Sequence, residues 1–304
     1  MFVVNNRNLF FAFTGLLILA SIVSVAVFGL KLGTDFTGGT LAEVTYPGER
    51  PDAQLIHEAL DGSGMTGYSL RETGANGYAL RAGNLTDIQR ASLPELLSGG
   101  DAYRGQITQQ SEVGPTIGTE LRNKSLVAIA VVLLCIMLFI AFAFRHVSEP
   151  ISSWTYGLIA IITLLHDVII PLGAFAIMGH FMGAQVDTLF VTALLTILGF
   201  SIHDTIVVFD RTRENLHINH EKGRKEPFAE TAGRSLNQTI VRSINTSLTV
   251  VISLLTLYLF GPESTRIFAL TLLIGIIAGT YSSIFFATPL LVAWDNWKGT
   301  SKKR

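Results

Sequence analysis

Two acidic side chains stand in strongly apolar surroundings. Asp167 lies in Leu164-Leu165-His166-Asp167-Val168, and Asp204 in Gly199-Phe200-Ser201-Ile202-His203-Asp204-Thr205. Each directly follows a histidine, His166 or His203. An ionised carboxylate in a hydrocarbon-like stretch is expensive, so such residues are functional candidates by default. Burial favours the neutral form of a carboxyl, and a neighbouring arginine favours the charged form. A carboxyl held between those pulls can exchange a proton as helices move, coupling proton passage to a conformational change. The arginine in reach is Arg242, in Asn237-Gln238-Thr239-Ile240-Val241-Arg242-Ser243-Ile244-Asn245-Thr246-Ser247. That segment is too polar for a lipid-facing helix end and must face protein or water. The proton-relay set is therefore Asp204 and Arg242, with His203, Asp167 and His166 as further candidates.

Three structural readings stand beside this one. Asp204 also fits, less well, a carboxylate held in a fixed salt bridge. Arg242 fits a side chain snorkelling to the headgroups. His166 and His203 fit packing residues, and two histidines alone make no metal site. No Walker-type loop is present, so the sequence points to no ATP hydrolysis, no enzyme activity and no cofactor.

The elements that position these residues follow from where charge is missing. Residues 8–30, 125–144, 243–262 and 267–294 carry no Asp, Glu, Lys or Arg; 150–186 carries only Asp167 and 188–209 only Asp204. A spanning helix takes roughly 20 apolar residues, so these stretches predict six spans. Asp204 then lies six residues, roughly 9 Å, inside the end marked by Asp210, and Asp167 thirteen residues, roughly 20 Å, beyond Trp154. The first span is too long for a cleaved signal core and lacks a following small-residue cleavage site; it reads as a retained anchor. Thr188, Thr192, Thr196, Gly199 and His203 on the fourth span, and Thr271, Gly275, Gly279 and Ser283 on the sixth, recur at helical spacing and predict close helix packing.

Composition agrees. Of 304 residues, 49% are hydrophobic and 15% charged, where soluble domains carry about 25% charged. The mean hydropathy is +0.46. The net charge of −1 gives no global basic signal for nucleic acid, and the single cysteine, Cys135, excludes an intramolecular disulfide. With the N-terminus inside, segments 1–8, 145–149, 210–242 and 295–304 hold 13 Lys and Arg, whereas the short outer loops hold only Arg266. Both termini are then cytoplasmic, 210–242 is a cytoplasmic loop and 295–304 a basic tail. Residues 31–124 form an extracytoplasmic domain. Within it, strands are expected at Thr40–Tyr46, Tyr68–Glu72, Tyr78–Arg81 and Tyr103–Gln109, and helices at Pro51–Leu60 and Thr86–Leu97, with Thr86 as N-cap. That β-α-β-β-α-β order is ferredoxin-like. The fold class is therefore a polytopic α-helical membrane protein: six transmembrane helices, with a small ferredoxin-like α+β domain between the first and second.

Several segments carry a family resemblance. Asp35-Phe36-Thr37-Gly38-Gly39 looks like a D-F-x-G-G signature, and Val113-Gly114-Pro115 with Gly118 resembles a V-G-P-x-x-G element. His166-Asp167-Val168 fits a third-span motif. Ser201 to Arg211 with Arg213-Glu214-Asn215 fits a fourth, and Arg242 to Ser247 a fifth. Together they resemble the SecF branch of the bacterial SecD/SecF family, of the resistance–nodulation–division superfamily, along the whole chain. The family usually has Asn before the fourth-span Asp; here it is His203, a titratable neighbour. The resemblance implies an inner-membrane subunit that pairs with SecD and joins the SecYEG channel and its motor SecA, with YajC and YidC as further partners. Such a subunit uses the proton motive force to draw unfolded preproteins out late in export, and Asp204 and Arg242 would be its proton-pathway residues. Two rival readings remain at this point: a proton-driven exporter of lipids or small molecules, and a passive scaffold of the translocation channel.

Overall fold

The computed structural model describes residues 2–143 and 151–301. The expected inner segment 145–149 and the last residues of the basic tail, 302–304, lie outside the described residues. The chain divides into two compact units: Lys31–Val127 with Gln185–Thr188, and the remainder.

A one-turn helix, α1 (Phe2–Asn5), precedes the first span, α2 (Arg7–Phe28). Gly29, at φ 67°, ends α2 and returns its N–H to the Val25 carbonyl. This left-handed stop suits a residue without Cβ.

The α/β unit follows in the order α3 (Thr34–Thr37), β1 (Gly39–Thr45), α4 (Ala53–Gly62), β2 (Ser69–Thr73), β3 (Gly77–Ala82), α5 (Asp87–Leu97) and β4 (Gln106–Val113). Its sheet runs β2-β3-β1-β4 with every neighbouring pair antiparallel. Two split β-α-β units interleave to give this order, so the ferredoxin-like expectation holds. Alternation sets the core: Ala42, Val44 and Tyr46 point inward from β1 and beyond, Tyr78 and Leu80 from β3, against Ile56 and Leu60 of α4 and Leu93 and Leu97 of α5. The Tyr46 and Tyr78 hydroxyls donate to the carbonyls of Leu97 and Pro51, each at 2.7 Å. Thr86 caps α5 in a reciprocal pair with Gln89. The last strand begins later than expected, because Arg104 takes φ 50° and Gly105 lies against the Tyr46 ring.

The other spans are α6 (Pro115–Ala143), α7 (Ser153–Phe181), α8 (Thr188–Glu221), α9 (Phe228–Phe260) and α10 (Glu263–Ser282). α10 passes through a π turn (Ser283–Ala287) into α11 (Thr288–Ser301). Among the described residues six helices are long and apolar enough to cross a membrane. Two expected boundaries move. Helix α6 starts at Pro115, inside the expected domain, and 210–242 is not a loop: only 222–227 separates α8 from α9. Missing charge locates where lipid ends, not where hydrogen-bonded helix ends. Helix packing in the membrane unit is close. A Cβ on Gly173 of α7 would lie 2.4 Å from Ser21 Cα of α2, and one on Gly275 of α10 2.1 Å from Ile197 Cδ1 of α8.

Candidate functional site

Both intramembrane acids are buried, Asp167 completely and Asp204 with 3% of its surface exposed. Neither is bare. The Asp167 carboxylate takes the His166 ring Nδ1 at 2.8 Å and the Ser201 hydroxyl of α8. Pro171 stands four residues on and has no N–H, so the Asp167 main-chain carbonyl lacks its ordinary helical donor. The Asp204 carboxylate accepts from Ser247 Oγ of α9 at 3.2 Å, and Ser247 in turn accepts from Thr280 Oγ1 of α10 at 2.6 Å. Ser283, in the π turn, lies 2.8 Å from Thr205 Oγ1 and donates to the Ser201 carbonyl at 3.3 Å. The fourth span thus carries two acid–hydroxyl clusters, one shared with α7 and one with α9 and α10. In a low-dielectric interior such hydroxyls strengthen one another and can hand a proton along.

The expected residues divide. His166 is buried against Tyr281 and Phe286, with Nδ1 on Asp167 and no hydrogen-bond partner for Nε2 among the described residues. His203 is exposed, one residue round the helix from Asp204. Arg242 is also exposed and forms no ion pair with Asp204 among the described residues. The expected Asp204–Arg242 pair is therefore not closed within this chain. Instead Arg242 belongs to an open stripe on α9, Gln238, Arg242, Asn245, Thr249, Ser253 and Thr256, recurring every three or four residues; all six are exposed. On α8, Thr192, Thr196, Gly199 and His203 are likewise exposed, so the expected close packing of that stripe is not made among the described residues, whereas Gly275 and Gly279 of α10 do pack on Ile197 and Ser201. Hydroxyls and a guanidinium along a span belong against protein or water.

Sequence reasoning did not single out Ser201, Ser247 or Thr280 as ligands of the acids. The available signal was spacing: Ser201 precedes Asp204 by three residues, and Ser243 and Ser247 sit one turn apart in a segment already too polar for lipid. It also passed over Arg234. That guanidinium joins the non-spanning ends of α8 and α9, reaching Glu226 at 2.5 Å, Asn215 Oδ1 at 3.0 Å and Asn219 Oδ1 at 3.3 Å. Asn219 and Thr231 also donate to Glu226, at 2.6 and 2.9 Å. Arg234 first, then Asn219 and Thr231, hold the Glu226 carboxyl down at about 2 against the opposing pull of burial.

In the α/β unit the glycine motif and the V-G-P-x-x-G element meet. Phe36 is buried. Gly38, at φ 77°, leaves 2.8 Å between a Cβ position and Pro115 Cα, and a Cβ on Gly118 would lie 2.9 Å from Gly38 N. Gly39, at φ 131°, leaves 2.4 Å to the Ala82 carbonyl, while Gly114 has open space. Gly38, Gly39 and Gly118 are there for close backbone approach.

Buried intramembrane acids, a six-helix bundle and a ferredoxin-like insert after the first span define a membrane protein of the resistance–nodulation–division type. Comparison with known proteins makes the assignment narrower. The sequence profile described as "Protein export membrane protein SecD/SecF, C-terminal" matches residues 97–297, and the "SecD/SecF GG Motif" residues 23–46. A protein translocase subunit SecF of Thermobaculum terrenum is 42% identical, over 97% of this chain and 94% of that one. Another, of Anaerolinea thermophila, is 38% identical over 99% and 97%. The crystal structure of SecDF from Thermus thermophilus superposes with a TM-score of 0.83 at 32% identity, over 96% of this chain but 38% of that longer one. The chain belongs to the SecD/SecF protein-export family, and its work is Sec-associated protein export across a membrane.

Proposed function

We propose that this chain is one half of a proton-driven export unit. It pairs with a SecD-type half, uses the proton motive force in late steps of preprotein export, and hydrolyses no nucleotide itself. The observation that carries this reading is the pair of buried acid–hydroxyl clusters beside an unclosed face. Among the described residues Asp204 accepts from Ser247 and forms no salt bridge, and Arg242 is exposed on α9. A carboxyl so placed can change charge when a partner half closes on the stripe. The fused Thermus SecDF chain, of which this chain spans little more than a third, supports a second half as the occupant. SecYEG and SecA, with YajC and YidC, are the further partners in this reading. The membrane is the bacterial inner membrane, with both termini cytoplasmic and the α/β unit on the far side.

The test is precursor translocation into inverted membrane vesicles, with and without a proton gradient, comparing wild type with Asp204→Asn at equal expression and equal SecD association. The reading expects loss of the gradient-dependent part while ATP-driven translocation persists. Unchanged translocation in both conditions overturns it and leaves a passive scaffold.

A further inference from the structure

The family motif that begins with Asp35 makes a contact its glycines do not explain. Asp35 Oδ2 accepts from the backbone N–H of Thr188 at 3.0 Å and from its hydroxyl at 2.6 Å. Thr188 is the first residue of α8. The first N–H groups of a helix have no partner inside it, and a carboxylate there satisfies both the hydrogen bond and the positive end of the helix dipole. The carboxylate arrives from a segment 153 residues earlier in the chain. The same segment is tied on by backbone pairing: Val186 N–H donates to the Lys31 carbonyl and Gly33 N–H to the Val186 carbonyl, both at 2.8 Å, with Leu32 and Val186 forming a parallel bridge. Gly33 allows this, since a Cβ there would lie 3.2 Å from the Val186 carbonyl. Asp35 itself sits on the single turn α3, which runs up to the two glycines that pack the motif on Pro115 and Gly118 and on the end of β3.

We propose that Asp35 is a positioning residue for the proton site: a long-range cap that fixes the start of the helix bearing Asp204. The inference rests on the reading of Asp204 given above. Asp204 lies sixteen residues along α8 from Thr188, roughly 24 Å of continuous helix. A helix held at its first residue keeps its axial position and rotation, and these decide whether Asp204 meets Ser247. The motif thereby acts on the acid through the continuous helix α8 alone. Phe36, Gly38 and Gly39 serve the same end by holding α3, and with it the carboxylate, in place.

The experiment compares Asp35→Ala, Asp35→Asn and Asp204→Asn in the full chain, co-purified with its SecD-type partner. Amide hydrogen exchange is read in detergent, and gradient-dependent translocation in vesicles. Losing a helix cap opens the first turn, so exchange over residues 188–192 rises about fivefold in Asp35→Ala. Asp35→Asn keeps an acceptor oxygen and stays near wild type, and residues 201–211 stay protected in both. Gradient-dependent translocation falls several-fold in Asp35→Ala and is largely rescued in Asp35→Asn. Unchanged exchange at 188–192 in Asp35→Ala overturns the cap. Raised exchange with full gradient-dependent translocation, where Asp204→Asn abolishes it, overturns the positioning role. If Asp204→Asn itself translocates normally, the proton reading fails and the positioning role falls with it, while the exchange data still decide the cap separately.

Discussion

Replacing Glu226 by glutamine isolates the polar knot between the ends of α8 and α9. The carboxyl ordinarily titrates at 4.5 and is held at about 2 in the folded protein, chiefly by Arg234. A pKa gap of about 2.5 corresponds to about 3.4 kcal/mol if fully expressed. The Arg234 and Glu226 side chains are 35% and 23% exposed, so solvent screening takes away about half, leaving about 1.5 kcal/mol. The folded value lies below the unfolded one. The stabilisation is therefore complete above pH 4.5 and is lost as pH falls from there towards 2. In a chain of 304 residues Glu226→Gln should lower the Tm by about 2 °C at pH 7. The gap between variant and wild type should shrink by more than half on going from pH 5 to pH 3. Thermal unfolding in detergent, followed by tryptophan fluorescence at each pH, reads both; subtracting the variant removes the titration of the other acids. Arg234→Gln should cost a similar amount, and the double variant no more than the worse single one. A Tm gap that is the same at pH 7 and pH 3, or additive single effects, refutes the knot as an ionic one.

Three further outcomes follow from the geometry. Gly173→Ala places a methyl 2.4 Å from Ser21 Cα and should destabilise the bundle by about 1–3 kcal/mol; Gly157→Ala, whose nearest neighbour would be 3.5 Å away, should leave the Tm in detergent unchanged or slightly raised. Tyr68 should stay neutral up to about 12, raised by burial and by its hydrogen bond to Asp61; ultraviolet difference titration against Tyr68→Phe shows whether its absorbance change comes only at the alkaline end. A cysteine at Asn245, in a Cys135→Ala background, should react with a water-soluble maleimide in the chain alone and several-fold more slowly in complex with a SecD-type partner; equal rates count against the α9 stripe as the covered face.

Much of the α/β unit was legible because short-range signals decide it. Alternation at Thr40–Tyr46 and the Thr86 cap each act within a few residues, and such signals together fix the element order. The strand before α6 was misplaced, since its start depends on Gly105 fitting against Tyr46, a contact between distant residues. In the membrane unit, absent charge revealed the spans and isolated Asp167 and Asp204. It could not say which side chains face them. Ser201, Ser247 and Thr280 become ligands only through helix rotation and neighbour choice, and hydroxyls are too common along spans to stand out. The Asp204–Arg242 pair was drawn from a shared membrane depth, but rotation about α9 turns Arg242 outward. Asp35 was visible as a motif residue. Its hold on Thr188 lies beyond any local rule.

The π turn at Ser283–Ala287 also governs how the sixth span tolerates changes in length. Before it, buried positions recur as Thr271, Gly275 and Gly279, then Ser282 and Ser283. After it they resume as Ala287 and Thr288, then Leu291 and Val292. Ile284, inside the turn, is buried as well, and the turn closes over five residues rather than four. Pro289, which has no N–H to give back, lies just beyond. The turn thus behaves as one accommodated extra residue. Deleting a single residue between 283 and 287 would restore plain α-helix without swinging the downstream face, so Leu291 and Val292 would stay in the core. Inserting one more would exceed what the turn takes up and rotate everything beyond it by about 100°, so the sixth span tolerates shortening at this point but not lengthening.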